Sequence, residues 1–183
     1  MSRFCVYLGS REGQDPRYLA AARELGELLV RRGHSLVYGG ARVGMMGALA
    51  DSVMAAGGEV TGVMPDHLVE REQAHTGLSR LIRVRNMHER KAGMAAHSDA
   101  FIALPGGIGT LEELFEAWTW RYLGLHDKPI GVLDTAGFYA PLLRFLDATA
   151  AEGFLDAGTR ADLVAAEAPA ALLEALEARL PTT

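Results

Sequence analysis

An apolar run over residues 100–104 stops at Pro105, passes through three glycines in four positions (Gly106, Gly107 and Gly109), and opens into a helix-forming segment reaching about Leu123. The pattern predicts a strand, a tight turn and a helix start, which commits this part of the chain to an α/β arrangement. Glycines at such a turn let the backbone approach a bound group that any Cβ would push away. The first N–H groups of the helix have no internal partner, and the helix dipole adds partial positive charge there. Together they make an anion site suited to phosphate. Glu112 and Glu113 then place carboxylates one turn into the helix, where a sugar attached to that phosphate would lie. The same residues also read as a capping box, with Thr110 followed three residues later by Glu113, and glycine-rich turns between strand and helix also arise for packing alone.

The rest of the chain repeats the alternation. Short apolar runs over 4–8, 35–38, 60–64, 81–85, 130–134 and 163–166 read as strands. Helical spacing follows Pro16 as far as Gly33, the turn over 39–47 as far as Gly57-Gly58, Asn86 as an N-cap as far as about His97, Gly137 as far as Ala151, and Pro169 toward the end. The stretch over 66–80 is polar and reads as a loop with at most one helical turn. Strands apolar on both faces and separated by helices imply a parallel sheet covered on both sides. In such sheets ligands bind beyond the carboxyl ends of the strands, near where strand order reverses. Gly9-Ser10, Gly39-Gly40 and Pro105-Gly106-Gly107 all fall at those ends, which predicts one site lined by three turns.

Composition narrows the function. A chain of 183 residues with 49% hydrophobic and 22% charged residues fits one domain with a substantial core. The net charge of −5 disfavours nucleic acid as a partner, and a phosphorylated small molecule would need local positive charge. The single Cys5 sits in an apolar run and reads as core. Too few apolar residues begin the chain for a signal-peptide core, and no run approaches the ~20 residues of a membrane span, so the expectation is a cytoplasmic protein without a membrane partner.

Rival chemistries fit poorly. A dinucleotide fingerprint would need a glycine where Glu112 follows Gly107-Ile108-Gly109, and no Walker lysine follows any glycine turn. The only lysines, Lys91 and Lys128, do not suggest a Schiff-base site for pyridoxal phosphate. The six histidines show no H-E-x-x-H, and one cysteine cannot build a thiolate site. No cofactor and no metal are expected.

The stretch PGGIGTLEE, with Asn86-Met87-His88-Glu89-Arg90-Lys91 upstream, resembles the two motifs of the Lonely Guy family, and the resemblance runs from Val6 to about Asp134. Its characterised members are cytokinin riboside 5'-monophosphate phosphoribohydrolases, often labelled lysine decarboxylases, which split a nucleotide into base and ribose 5-phosphate. The resemblance implies Arg90 and Glu113 as catalytic residues, and Lys91 with Gly107, Ile108, Gly109 and Thr110 as contacts to phosphate and ribose. Glu72 and Thr119 match further binding positions by offset. With Gly106 and Glu112 of the signature, and Gly9, Ser10, Gly39 and Gly40 of the other two turns, these form the candidate site. The loop over 9–13 departs from many relatives, which carry small residues where this chain has Arg11 and Glu12. The family also implies a homodimer, to which the helix bearing Trp118, Trp120 and Tyr122 contributes.

N-glycosidic hydrolysis suits these groups. Its transition state resembles an oxocarbenium ion, so a carboxylate near the anomeric carbon stabilises positive charge or activates water. Arginine stays protonated, which suits Arg90 to orienting ribose or phosphate and holding Glu113 ionised. The expectation is therefore an α/β, Rossmann-like three-layer sandwich, one domain over 1–183, acting on purine riboside 5'-monophosphates including AMP. The alternative is a non-catalytic nucleotide-binding or sensor protein using the same turns.

Overall fold

The computed structural model describes residues 1–69 and 73–181. The short apolar runs, too brief for helices, become seven strands: β1 (Arg3–Tyr7), β2 (Ser35–Tyr38), β3 (Val60–Pro65), β4 (Arg80–Val84), β5 (Ala100–Ala103), β6 (Ile130–Leu133) and β7 (Leu163–Ala166). The helical segments become α1 (Pro16–Arg31), α2 (Gly44–Ala55), α3 (Met87–Ala96), α4 (Ile108–Tyr122), α5 (Ala140–Ala151), α6 (Ala157–Asp162) and α7 (Pro169–Glu177). All the strands pair in parallel in one sheet of order β4-β3-β2-β1-β5-β6-β7. The chain thus builds outward from β1 to β4, returns to the other side of β1 as β5, and builds outward again. Strand order reverses between β1 and β5, where such sheets leave a crevice at their carboxyl ends.

Alternate residues of each strand feed separate cores. Phe4, Val6 and Leu8 join the layer packed by α1, α2 and α7, while Cys5 and Tyr7 join the layer packed by α3, α4 and α5. That two-residue period is why the central strands are apolar throughout. Burial pushes the Cys5 thiol well up, as expected of a core cysteine. Among the described residues no helix is long and apolar enough to cross a membrane.

Local chemistry sets the helix starts. Asp15 caps α1 by accepting from Arg17 N at 2.9 Å, with Pro16 in the first turn. Asn86 caps α3 as expected, accepting from Glu89 N at 2.9 Å, while the Glu89 carboxylate accepts from Arg85 N at 2.9 Å.

The capping box read at Thr110 and Glu113 is not formed. Helix α4 starts at Ile108 with Gly107 as its N-cap and no side chain capping it, and Thr110 lies inside the first turn, buried. The helix before Ala151 begins at Ala140, because residues Thr135–Gly137 make a 3-10 turn and Tyr139 N donates to Asp134 Oδ1 at 2.5 Å. Helix α6 is an addition to the sequence reading. Its signal was present in Asp156, which accepts from Thr159 N at 2.8 Å.

Candidate functional site

The β1–β5 pairing places the first turn beside the third. The ladder runs from Phe4 against Ala100 to Tyr7 against Ala103 and continues through Leu104 N to Tyr7 O at 2.9 Å and Gly9 N to Pro105 O at 3.2 Å. The loop after β1 therefore lies on the glycine turn before α4. The contact needs glycine: a Cβ on Gly106 would sit 2.1 Å from Thr110 Oγ1 and 2.9 Å from Gly9 N. Thr110 is thus the buried residue that packs the turn against its own helix. No such contact constrains Gly107 or Gly109, where a Cβ would meet nothing within 4 Å. Those two positions face open space above the uncapped start of α4, where backbone N–H groups are free to bind an anion.

A cavity of about 470 Å³ opens at this place, on the strand-order reversal. Gly9 and Ser10 line it from the first turn, Gly39 from the second, and Gly106 with residues 107–110 from the third. The three turns thus meet at one cavity, as their places at the strand ends predict. Gly40 is the exception. It turns back over the sheet, at a left-handed φ of 84°, with Leu81 and Met64 closing the space a side chain would need.

Arg90 and Glu113, from different helices, both line this cavity. Arg90 is 5% exposed, a depth that an arginine tolerates only when its donors are used. Its Nε donates to Val63 O at 3.1 Å and one terminal nitrogen donates to Gly39 O at 2.8 Å. Those carbonyls belong to the carboxyl ends of β2 and β3, so the sheet itself orients the guanidinium. Gly39 makes room for it, since a Cβ there would lie 2.2 Å from the same nitrogen. Glu113 lies one turn into α4, half-buried. Its charge reaches the phenol of Tyr7, which also lines the cavity; burial first, then the charges of Cys5 and Glu113, hold that phenol protonated far above its ordinary range.

Three of the residues named from sequence face elsewhere. Lys91 follows Arg90 but leaves α3 in another direction, where Nζ contacts Glu112 at 2.5 Å and Glu116 at 2.8 Å. Burial alone would lower its pKa, but these two bonds outweigh burial and raise it. Lys91 and Glu112 therefore tie α3 to α4 outside the cavity. Thr119 is exposed, three turns along α4 from its start. Glu72 lies outside the described residues.

The structure also brings in residues that sequence reasoning passed over. Met45 and Met46 line the cavity from the start of α2, and Met94 does so from α3. Tyr18 and Phe138, whose rings meet edge to face at 5.7 Å, also line it. Phe138 enters from the turn after β6, directly behind Gly137, which reads in sequence as a helix entrance. Arg11, singled out in sequence only as a departure from many relatives, lines the cavity from the loop after β1.

Similarity to known proteins covers nearly the whole chain. The family described as "Possible lysine decarboxylase" matches residues 46–176. Cytokinin riboside 5'-monophosphate phosphoribohydrolase LOG from Oryza sativa subsp. japonica is 47% identical over 179 residues, which span 98% of this chain and 74% of the rice protein. A cytokinin riboside 5'-monophosphate phosphoribohydrolase from Arabidopsis thaliana is 47% identical over 179 residues, 98% of this chain and 84% of its own. The molybdenum cofactor carrier protein from Chlamydomonas reinhardtii superposes with a TM-score of 0.74 at 24% identity, over 98% of this chain and 99% of that one. DNA processing protein A from Helicobacter pylori gives 0.61 at 15% identity, over 98% and 82%. At those identities the two structures share the Rossmann-like fold and nothing narrower. With its family match over most of its length, and nearly half its residues identical to those of the two plant enzymes, the chain belongs to the Lonely Guy family of phosphoribohydrolases.

Proposed function

We propose that this protein hydrolyses the N-glycosidic bond of purine riboside 5'-monophosphates, AMP and its cytokinin derivatives among them, to the free base and ribose 5-phosphate. One observation carries the reading: Arg90 and Glu113 line the same cavity as the uncapped start of α4. With the phosphate on the N–H groups of residues 107–110, the ribose extends toward Glu113. The carboxylate then stabilises the oxocarbenium-like transition state or activates water. Arg90, fixed by two strand-end carbonyls, orients the ribose and keeps Glu113 ionised without giving up its own proton. A protein that only binds nucleotides gains nothing from a carboxylate beside an anionic ligand. A pyridoxal-type decarboxylase is disfavoured by where the lysines sit. Lys91 bridges α3 and α4, Lys128 donates to Ala95 O at 2.6 Å, and neither lines the cavity.

The test is product analysis with AMP and isopentenyl-AMP, for wild type and Glu113→Gln. Gln is nearly isosteric with Glu, and a melting curve of the variant checks that it is folded before its rate is read. Its rate should fall roughly 10²- to 10⁴-fold. If wild type binds nucleotide without cleaving it, and Glu113→Gln binds equally well, the sensor reading replaces this one.

The working unit is a cytoplasmic homodimer in this reading. Tyr122, Leu123 and Leu125, at and beyond the end of α4, are each more than 60% exposed, an apolar patch that a second copy would cover. Light scattering on the purified protein should give twice the mass of one chain, and a single-chain mass would refute the dimer.

A further inference from the structure

A nucleoside 5'-monophosphate brings a group of nearly two negative charges at neutral pH to a chain whose own net charge is −5. Backbone N–H groups at a helix start supply only about half a positive charge. Among the described residues lining the cavity, the cationic side chains are Arg11 and Arg90. Arg90 is committed: the carbonyls of Val63 and Gly39 fix its guanidinium beneath the strand ends. Lys91, the expected phosphate contact, is engaged by Glu112 and Glu116 outside the cavity. Arg11 remains.

Its backbone is firmly placed although its side chain is exposed. A Cβ on Gly9 would sit 3.2 Å from Arg11 O and 3.3 Å from Gly106 Cα, so the loop lies directly on the glycine turn. From the other side, a Cβ on Gly44 would come 2.3 Å from Ser10 O and 3.0 Å from Arg11 Cα. Arg11 is therefore wedged between the starts of α2 and α4. Its own side chain makes no hydrogen bond or ion pair among the described residues, whereas Arg17 on the same segment is paired with Asp15. The nearest acidic residue in sequence, Glu12, is exposed.

We propose that Arg11 reads the 5'-phosphate: its guanidinium supplies the full positive charge that the start of α4 lacks, making it the residue that determines selectivity for phosphorylated substrates. The assignment rests on the phosphoribohydrolase reading and adds a residue to it. A guanidinium fork suits two phosphate oxygens, and lysine replaces only the charge. An exposed charge pair of this kind also weakens with salt.

The experiment measures AMP kinetics together with calorimetric binding of ribose 5-phosphate and of adenosine, for wild type, Arg11→Ala, Arg11→Lys and Lys91→Ala. In Arg11→Ala, KM for AMP and Kd for ribose 5-phosphate should both rise roughly 10- to 100-fold, with kcat within a few-fold and adenosine affinity unchanged. Arg11→Lys should recover part of the loss. Raising salt should weaken ribose 5-phosphate binding more in wild type than in Arg11→Ala. Unchanged affinities in Arg11→Ala, an equal loss for adenosine, or a loss carried by Lys91→Ala instead would overturn the assignment. A wild type that binds ribose 5-phosphate through Arg11 yet cleaves no AMP would leave Arg11 in place and remove the hydrolase reading.

Discussion

The three glycines of the signature turn look alike in sequence, but the structure predicts that they fail in different ways when given a methyl group. At Gly106 the new Cβ would lie 2.1 Å from Thr110 Oγ1 and 2.7 Å from Thr110 Cβ. Thr110 is buried, and Gly9 N lies 2.9 Å away on the opposite side. To regain ordinary contact Thr110 must retreat by more than an ångström, and the start of α4 must move with it. Overpacking of that kind costs about 1–3 kcal/mol, which in a chain of this size lowers the melting temperature by roughly 2–12 °C. A displacement of that size at the phosphate-binding turn should also cost about 10²-fold in rate. At Gly107 and Gly109 the methyl would meet no protein atom within 4 Å. Gly109→Ala should melt no lower than wild type and gain up to about 1 kcal/mol from helix propensity. Both outer substitutions should nevertheless weaken AMP turnover, because their methyl groups occupy the space into which the ligand descends. Calorimetric melting and initial rates on AMP for the three single variants separate the two effects. Wild-type melting and wild-type rates in Gly106→Ala would refute the packing argument. Full activity in both outer variants would refute the placing of the ligand over the start of α4.

Two further outcomes follow from the buried arginine and from the amino-terminal ends of the central strands. Arg90→Lys cannot reach Val63 O and Gly39 O together, so it should lose about 1–3 kcal/mol of stability and roughly 10²-fold or more in kcat/KM for AMP; unchanged kinetics would refute its role. Asp99 accepts from Arg3 N at 2.8 Å and from the Arg3 guanidinium at 3.0 Å, joining the starts of β1 and β5. Burial alone would raise its pKa, but the bonds from Arg3 outweigh burial and hold the carboxyl below its ordinary value. Its stabilisation is therefore complete above about pH 4 and is lost as pH falls through the lowered folded value. The stability gap between wild type and Asp99→Asn should shrink over that acid range, and a pH-independent gap would contradict the assignment.

Much of this molecule was decided locally. Strand and helix periods, Asn86 as a cap and the glycine turns at strand ends depend on residues within a few positions of one another, so the sequence alone determined the parallel α/β architecture and put three glycine turns at strand carboxyl ends. Its paired motifs likewise pointed to Arg90 and Glu113. Neighbouring side chains are another matter. Arg90 and Lys91 are adjacent in sequence, yet adjacent positions on a helix point about 100° apart, so one enters the sheet ends and the other bridges to α4. Thr110 and Glu113 had the spacing of a capping box, but packing of Thr110 under Gly106 starts the helix earlier. Phe138 and Arg11 lie far apart in the chain and carry no shared signal. Only the return of β5 to the free side of β1, which brings the ends of β1, β5 and β6 together, places them at one cavity. Contacts between distant segments depend on strand order and helix rotation, and those are fixed by burial of the whole sheet rather than by any local pattern.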